Sequence, residues 1–153
     1  MTYFQGELEE LPHIDEHAIV VDAAPERVWT ALGEVLFRAS PPATRMIGRA
    51  LGVRPLDPSG DALALGATLR GFRVARAEPP AQLALEGHHR FSRYALIFRL
   101  DGLEVERTRL RAETRATFPG AAGRVYRALV IGTRGHVVAV RRLLRATRRR
   151  AER

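Results

Sequence analysis

Apolar and polar residues alternate from about Gly66 to Phe118, and this period of two constrains the fold more than any other feature of the chain. It is clearest over Thr108–Phe118. There Leu110, Ala112, Thr114, Ala116 and Phe118 fall on one side, and Arg109, Arg111, Glu113, Arg115 and Thr117 on the other. Phe91–Leu100 repeats the pattern, with Tyr94, Leu96, Phe98 and Leu100 opposite Arg93, Ala95, Ile97 and Arg99. Gln82–His89 places Leu83, Leu85, Gly87 and His89 together, and Thr68–Arg76 forms a further strand stopped at Glu78-Pro79-Pro80. Strands in this succession predict an antiparallel sheet with one buried face and one wet, Arg-rich face.

The flanks are mostly helical. His17–Ala23 is a β-branched run that predicts a first strand, and Pro25-Glu26 opens a helix burying Val28, Trp29, Leu32, Val35 and Leu36 on one stripe. A second short helix is predicted with Met46, Ile47, Ala50 and Leu51 on one side, followed by a loop over Gly52–Gly60. From Ala122 to Arg150 one long helix is predicted, with Tyr126, Leu129, Val130, Thr133, Val137, Val140 and Leu144 facing inward. Gly132 and Gly135 interrupt it at a cost of ~1 kcal/mol each relative to Ala, which suggests a close approach to the sheet or a bend. The order is that of an α+β domain. Residues 1–16 read as a partly flexible acidic segment, with residues 1–12 outside the fold argument, and 17–153 as a single domain.

Composition removes several chemistries. All 25 basic residues are Arg, and the chain has no Lys, no Cys and no Asn. Schiff bases, P-loops, thiol nucleophiles, disulfides and zinc knuckles are thereby excluded. Ser40, Ser59 and Ser92 lack a GxSxG turn. The adjacent His88 and His89 point to opposite sides of a strand, and His13 and His17 do not sit on a helix, so no metal site is expected. No run of ~20 apolar residues and no signal-peptide pattern is present, which gives a cytoplasmic expectation.

The segment Ile19-Val-Val-Asp-Ala-Ala-Pro25-Glu-Arg-Val28-Trp29 resembles the opening of the SRPBCC, or START-like, superfamily. The block from Phe72-Arg-Val74 through Glu78-Pro79-Pro80 and Leu83 to Tyr94 is similar to the sheet core of its bacterial members, including polyketide cyclase/dehydratases. With the final helix, the resemblance covers residues 17–150. It implies a helix-grip fold: a curved antiparallel sheet wrapped around a long C-terminal helix, with two short helices after the first strand. It also implies a cavity for a small hydrophobic ligand, lipid- or polyketide-like, and no cofactor. No family catalytic pattern carries across residue by residue, so whether the chain is an enzyme stays open.

Strand parity then names candidate lining. On the sheet these are Arg70, Phe72, Leu85, His89, Tyr94, Leu96, Phe98 and Thr114, and on the helix Tyr126, Thr133 and His136. If the site is catalytic, in the manner of a cyclase, aromatase or dehydratase, His89, Tyr94 and His136 are the acid–base candidates. The charge suggests a third function. Residues 1–140 carry only +2, whereas Arg141–Arg153 supplies +6 and could meet an anionic membrane or a nucleic acid. No stacking aromatics lie among these Arg, so nucleic acid is not an expected partner. A solvated helix end whose cations suit the dipole is the simpler reading.

Overall fold

In the computed structural model, residues 7–38, 63–69 and 71–153 are described. After a short turn of helix, α1 (Glu7–Glu10), come β1 (His13–Val21) and α2 (Pro25–Leu36). Five strands follow: β2 (Thr68–Leu69), β3 (Phe72–Glu78), β4 (Gln82–His89), β5 (Ser92–Glu104) and β6 (Arg107–Thr117). Two helices close the chain, α3 (Gly120–Val130) and α4 (Gly135–Ala151). The expected helix around Met46–Leu51, the loop over Gly52–Gly60 and the candidate Arg70 lie outside the described residues.

The strands form one antiparallel sheet in the order β1-β6-β5-β4-β3-β2. Register shifts in β1, β3 and at the β5–β6 end help the sheet curl, as bulges do. Helices α2 and α4 pack together in the concave face. Val28 and Leu32 of α2 and Val140 and Leu144 of α4 meet Leu83, Leu85, Phe98 and Leu110 in the main core. Trp29 packs against the same core from its edge. The buried Thr108 hydroxyl donates to the Ala23 carbonyl at 2.8 Å and pins the chain where it leaves β1.

Four features differ from the sequence expectation. β1 starts at His13, four residues early, because Asp15 and His17 continue its inward alternation opposite Thr114 and Ala112. The strand over Thr68–Arg76 is two strands joined through Gly71, whose φ of +83° suits glycine. The convex face is not wholly wet, since Leu8 and Leu11 cover Ala84, Ala95 and Ile97 in a second small core. Residues set aside as an acidic segment therefore shield the back of the sheet.

The fourth difference is the C-terminal helix, which is two helices. Arg134 takes the left-handed φ of +57°, and a Cβ on Gly132 would come 2.2 Å from the Ala128 carbonyl oxygen. The Thr133 hydroxyl bonds back to the Leu129 carbonyl. The bend splits the expected stripe: Tyr126 and Val130 stay partly buried, whereas Leu129 is 62% exposed and Thr133 is exposed too. Below the bend Val140 and Leu144 are buried as expected, Val137 is half-buried, and Thr147 and Ala151 carry the buried stripe on to the end of α4.

Candidate functional site

Strand parity assigns a residue to a face, and the helices decide whether it meets a cavity. α2 fills the concave face at one end of the strands. At the other end α3 and the start of α4 lie farther off, leaving a cavity of about 390 Å³. That is within the ~300–1,000 Å³ of small-molecule sites.

The cavity is walled from β3–β5 by Phe72, His89, Tyr94 and Leu96, and from β6 by Thr114, Ala116 and the following Phe118. The helical side gives Tyr126, Val130, Ile131, His136, Val140 and Leu143. Of the expected lining residues, Phe72, His89, Tyr94, Leu96, Thr114, Tyr126 and His136 meet here. Leu85 and Phe98 do not: both are fully buried in the main core under α2. Thr133 is also absent, turned to solvent by the bend. The three acid–base candidates, His89, Tyr94 and His136, share the one cavity.

Aromatic rings make up much of the wall. His89 lies edge-on to Tyr126 at 4.6 Å between centroids, and Phe72 edge-on to Tyr94 at 5.2 Å. Phe91 and Phe118 lie against Tyr126 at 5.8 and 6.3 Å. Rings at these separations attract one another beyond simple area burial.

Each polar group has a particular role. The Tyr94 hydroxyl donates to the Gly71 carbonyl at 2.7 Å, and burial, then the nearby Tyr126, pushes its phenol well up. Burial likewise raises Tyr126. His89 Nδ1 accepts the Phe91 backbone N–H at 3.1 Å, which leaves the proton of the neutral ring on Nε2. Burial, then the charge of His88, lowers its pKa and keeps the ring neutral more readily.

His136 stands at the N-terminal end of α4, and its Nε2 lies 2.6 Å from Asp15 Oδ2. His17 Nε2 reaches the same oxygen at 3.3 Å. Burial works to raise the Asp15 carboxyl, but the hydrogen bond and charge of His136, then of His17, outweigh it and hold Asp15 below its ordinary value. Among the described residues no three metal-ligating side chains are grouped to hold an ion. Asp15 was missed because the first strand was expected to open at His17; extending the alternation two residues back puts Asp15 on the inward side.

The exposed side of α4 carries Arg141, Arg142, Arg145 and Arg149. Arg150 is tied through Nε to Glu34 of α2, and Glu152 accepts the Asp22 backbone N–H at 3.0 Å. Among the described residues no helix is long and apolar enough to cross a membrane.

No family model matches the chain, and no curated protein matches it by sequence. Solved structures do match in fold. The Mll3558 protein of Rhizobium loti superposes with a TM-score of 0.57 at 16% identity, over 92% of this chain and 99% of that one. The Zhui aromatase/cyclase of Streptomyces sp. R1128 gives 0.54 at 20% identity, over 94% and 95%. The Polyketide_cyc-like protein Cgl2372 of Corynebacterium glutamicum gives 0.50 at 14% identity, over 88% of each chain. A curved six-stranded antiparallel sheet gripping C-terminal helices, shared with these structures over nearly the whole chain, is the helix-grip fold.

Proposed function

We propose that this protein binds a small, flat, hydrophobic molecule, aromatic or polyketide-like, between the sheet and helices α3 and α4. The observation that carries this reading is the apolar cavity of about 390 Å³ walled by Phe72, Tyr94, Phe118 and Tyr126. Rings set edge-on around such a space favour an occupant that is itself flat. Native mass spectrometry of protein purified from its own cells tests it. The expected result is a co-purified small molecule that is lost in Ala116→Phe, which places a ring inside the cavity. A wild-type protein that carries nothing, and whose melting temperature no flat aromatic compound raises, overturns the reading.

A second reading is acid–base catalysis of the cyclase, aromatase or dehydratase type. It is favoured by the meeting of His89, Tyr94 and His136 on one cavity, and by the fold shared with an aromatase/cyclase. His136, backed by a carboxylate, is the group best equipped to take a proton. Incubation with a linear poly-β-ketone mimic, followed for ring closure, tests this reading. Turnover in wild type and its loss in His136→Gln support it, and absence of turnover in wild type overturns it.

A further inference from the structure

Among the described residues, three buried side-chain atoms near the β1 edge of the sheet lack a hydrogen-bond partner: Thr114 Oγ1, His136 Nδ1 and Asp15 Oδ1. Buried polar atoms are nearly always paired, so three from neighbouring residues require a reason. Their grouping follows from the topology. Asp15 and Thr114 stand opposite each other in the β1–β6 register, and His136 Nε2 is 2.6 Å from Asp15. His136 and Thr114 both line the cavity, whereas Asp15 is not among its lining residues and backs His136.

The donor and acceptor roles follow from the chemistry of the three groups. An ionised carboxylate only accepts, so the Asp15 partner fixes the proton of neutral His136 on Nε2. Nδ1 is then a bare acceptor. Thr114 adds a hydroxyl that can donate from the sheet side of the same cavity. An acceptor beside a donor suits a group that is itself both, and a hydroxyl is the smallest such group. Among hydroxyls, aromatic and enolic ones are the stronger donors, and they come on the flat frameworks that the surrounding rings favour.

We propose that His136 and Thr114, with Asp15 as the positioning residue, form a recognition site for an aromatic or enolic hydroxyl. The hydroxyl donates to His136 Nδ1 and accepts from Thr114 Oγ1. This rests on reading the cavity as a ligand site, and it adds the polar group that the ligand must carry.

Calorimetric titration with 2-naphthol and 7-hydroxycoumarin, each against its methyl ether, tests it. The ethers keep the rings and lose the donor. Wild type is expected to bind each hydroxyl compound about ten- to hundredfold more tightly than its ether, the range for a strong buried hydrogen bond. His136→Phe should bring that ratio close to one while ether binding persists. Thr114→Val, nearly isosteric and therefore safe for folding, should lower the ratio in the same direction. Asp15→Asn, whose amide oxygen still accepts from Nε2, should keep more of the ratio than Asp15→Leu. Equal binding of hydroxyl and ether by wild type overturns the hydroxyl site and leaves the cavity reading standing. Failure of all four compounds to bind overturns the cavity reading, and the site with it.

Discussion

The Tyr94 hydroxyl donates to the carbonyl of Gly71 at 2.7 Å, joining β5 to the β2–β3 turn across the width of β4. Its proton is therefore engaged with backbone, and burial holds that proton on the oxygen. Tyr94 contributes its ring to the cavity and its hydroxyl to the turn, which makes it a poor acid despite its position. Tyr94→Phe keeps the ring and removes only the bond. It should lower stability by ~1 kcal/mol, the ordinary worth of such a bond, and leave affinity for an apolar aromatic compound within about twofold. Urea denaturation and a binding titration on the same variant check both parts. A large loss of affinity with unchanged stability would place the hydroxyl on the ligand instead.

Gly87 makes that arrangement possible. It faces Tyr94 directly across the β4–β5 pair, and a Cβ there would lie 2.1 Å from the Gly71 carbonyl oxygen and 2.5 Å from Tyr94 Cε2. Gly87→Ala must displace both the turn and the ring. We expect a loss of ~1–3 kcal/mol, typical of overpacking, together with a changed near-UV circular dichroism signal as Tyr94 leaves its site. An alanine variant with wild-type stability and spectrum would mean that both yield freely.

How much of this was legible in the sequence divides along a physical line. Alternation told which side chains face inward, since that depends only on the period of a strand. It correctly placed Leu85, Phe98, Tyr94 and Thr114 on one face. It could not tell Leu85 and Phe98, sealed beneath α2, from Tyr94 and Thr114 at the cavity. That difference lies along the strand and is set by where the helices come down. The C-terminal bend was half legible: Gly132 and Gly135 marked it, but the outward turn of Leu129 and Thr133 needed the left-handed backbone at Arg134. Asp15 was recoverable in principle, because it stands two residues from His17 in the same alternation. It precedes the β-branched run that marks the strand in the sequence.

On the convex face, Glu113 gives a prediction in pH. Its side chain is only 6% exposed, and it accepts from Arg99 Nη1 at 2.7 Å, Arg115 Nε at 2.6 Å and His13 Nδ1 at 3.0 Å. Burial acts to raise its pKa, but the bonds from Arg99 and His13, and the charge of Arg115, bring it down to about 2 from an ordinary 4.5. A carboxyl that ionises more readily folded than unfolded adds stability above its unfolded pKa, and that stability fades as the pH falls through its folded one. The loss should therefore run from about 4.5 down to about 2. At neutral pH the contribution is on the order of 3 kcal/mol at most. Asp15 carries the same sign, so Glu113→Gln should flatten the acid side of the stability profile without abolishing it. Urea midpoints measured from neutrality down to about pH 2 for both proteins check this. Parallel profiles would show that the charge cluster adds nothing.

The basic C-terminus requires a different experiment from the one that its charge suggests. Cutting the chain after Val140 removes the Arg residues, but it also removes Leu144, Thr147 and Ala151, which are buried in the main structure. It removes the Glu152 carboxylate that accepts the Asp22 N–H as well. We expect that truncation to unfold the protein, so a lost interaction would say nothing about charge. Leu144→Ala alone should cost ~2–5 kcal/mol. The discriminating variant replaces the exposed Arg145, Arg149 and Arg153 with Gln. Substitutions on a solvated helix face usually stay within ~0.5 kcal/mol each, so its thermal midpoint should remain near that of wild type. Sedimentation with anionic vesicles at low and high salt can then be compared directly between two folded proteins. If the arginines serve only the helix end, wild type and variant will sediment alike at both salts. A salt-sensitive excess in wild type alone assigns them an anionic partner.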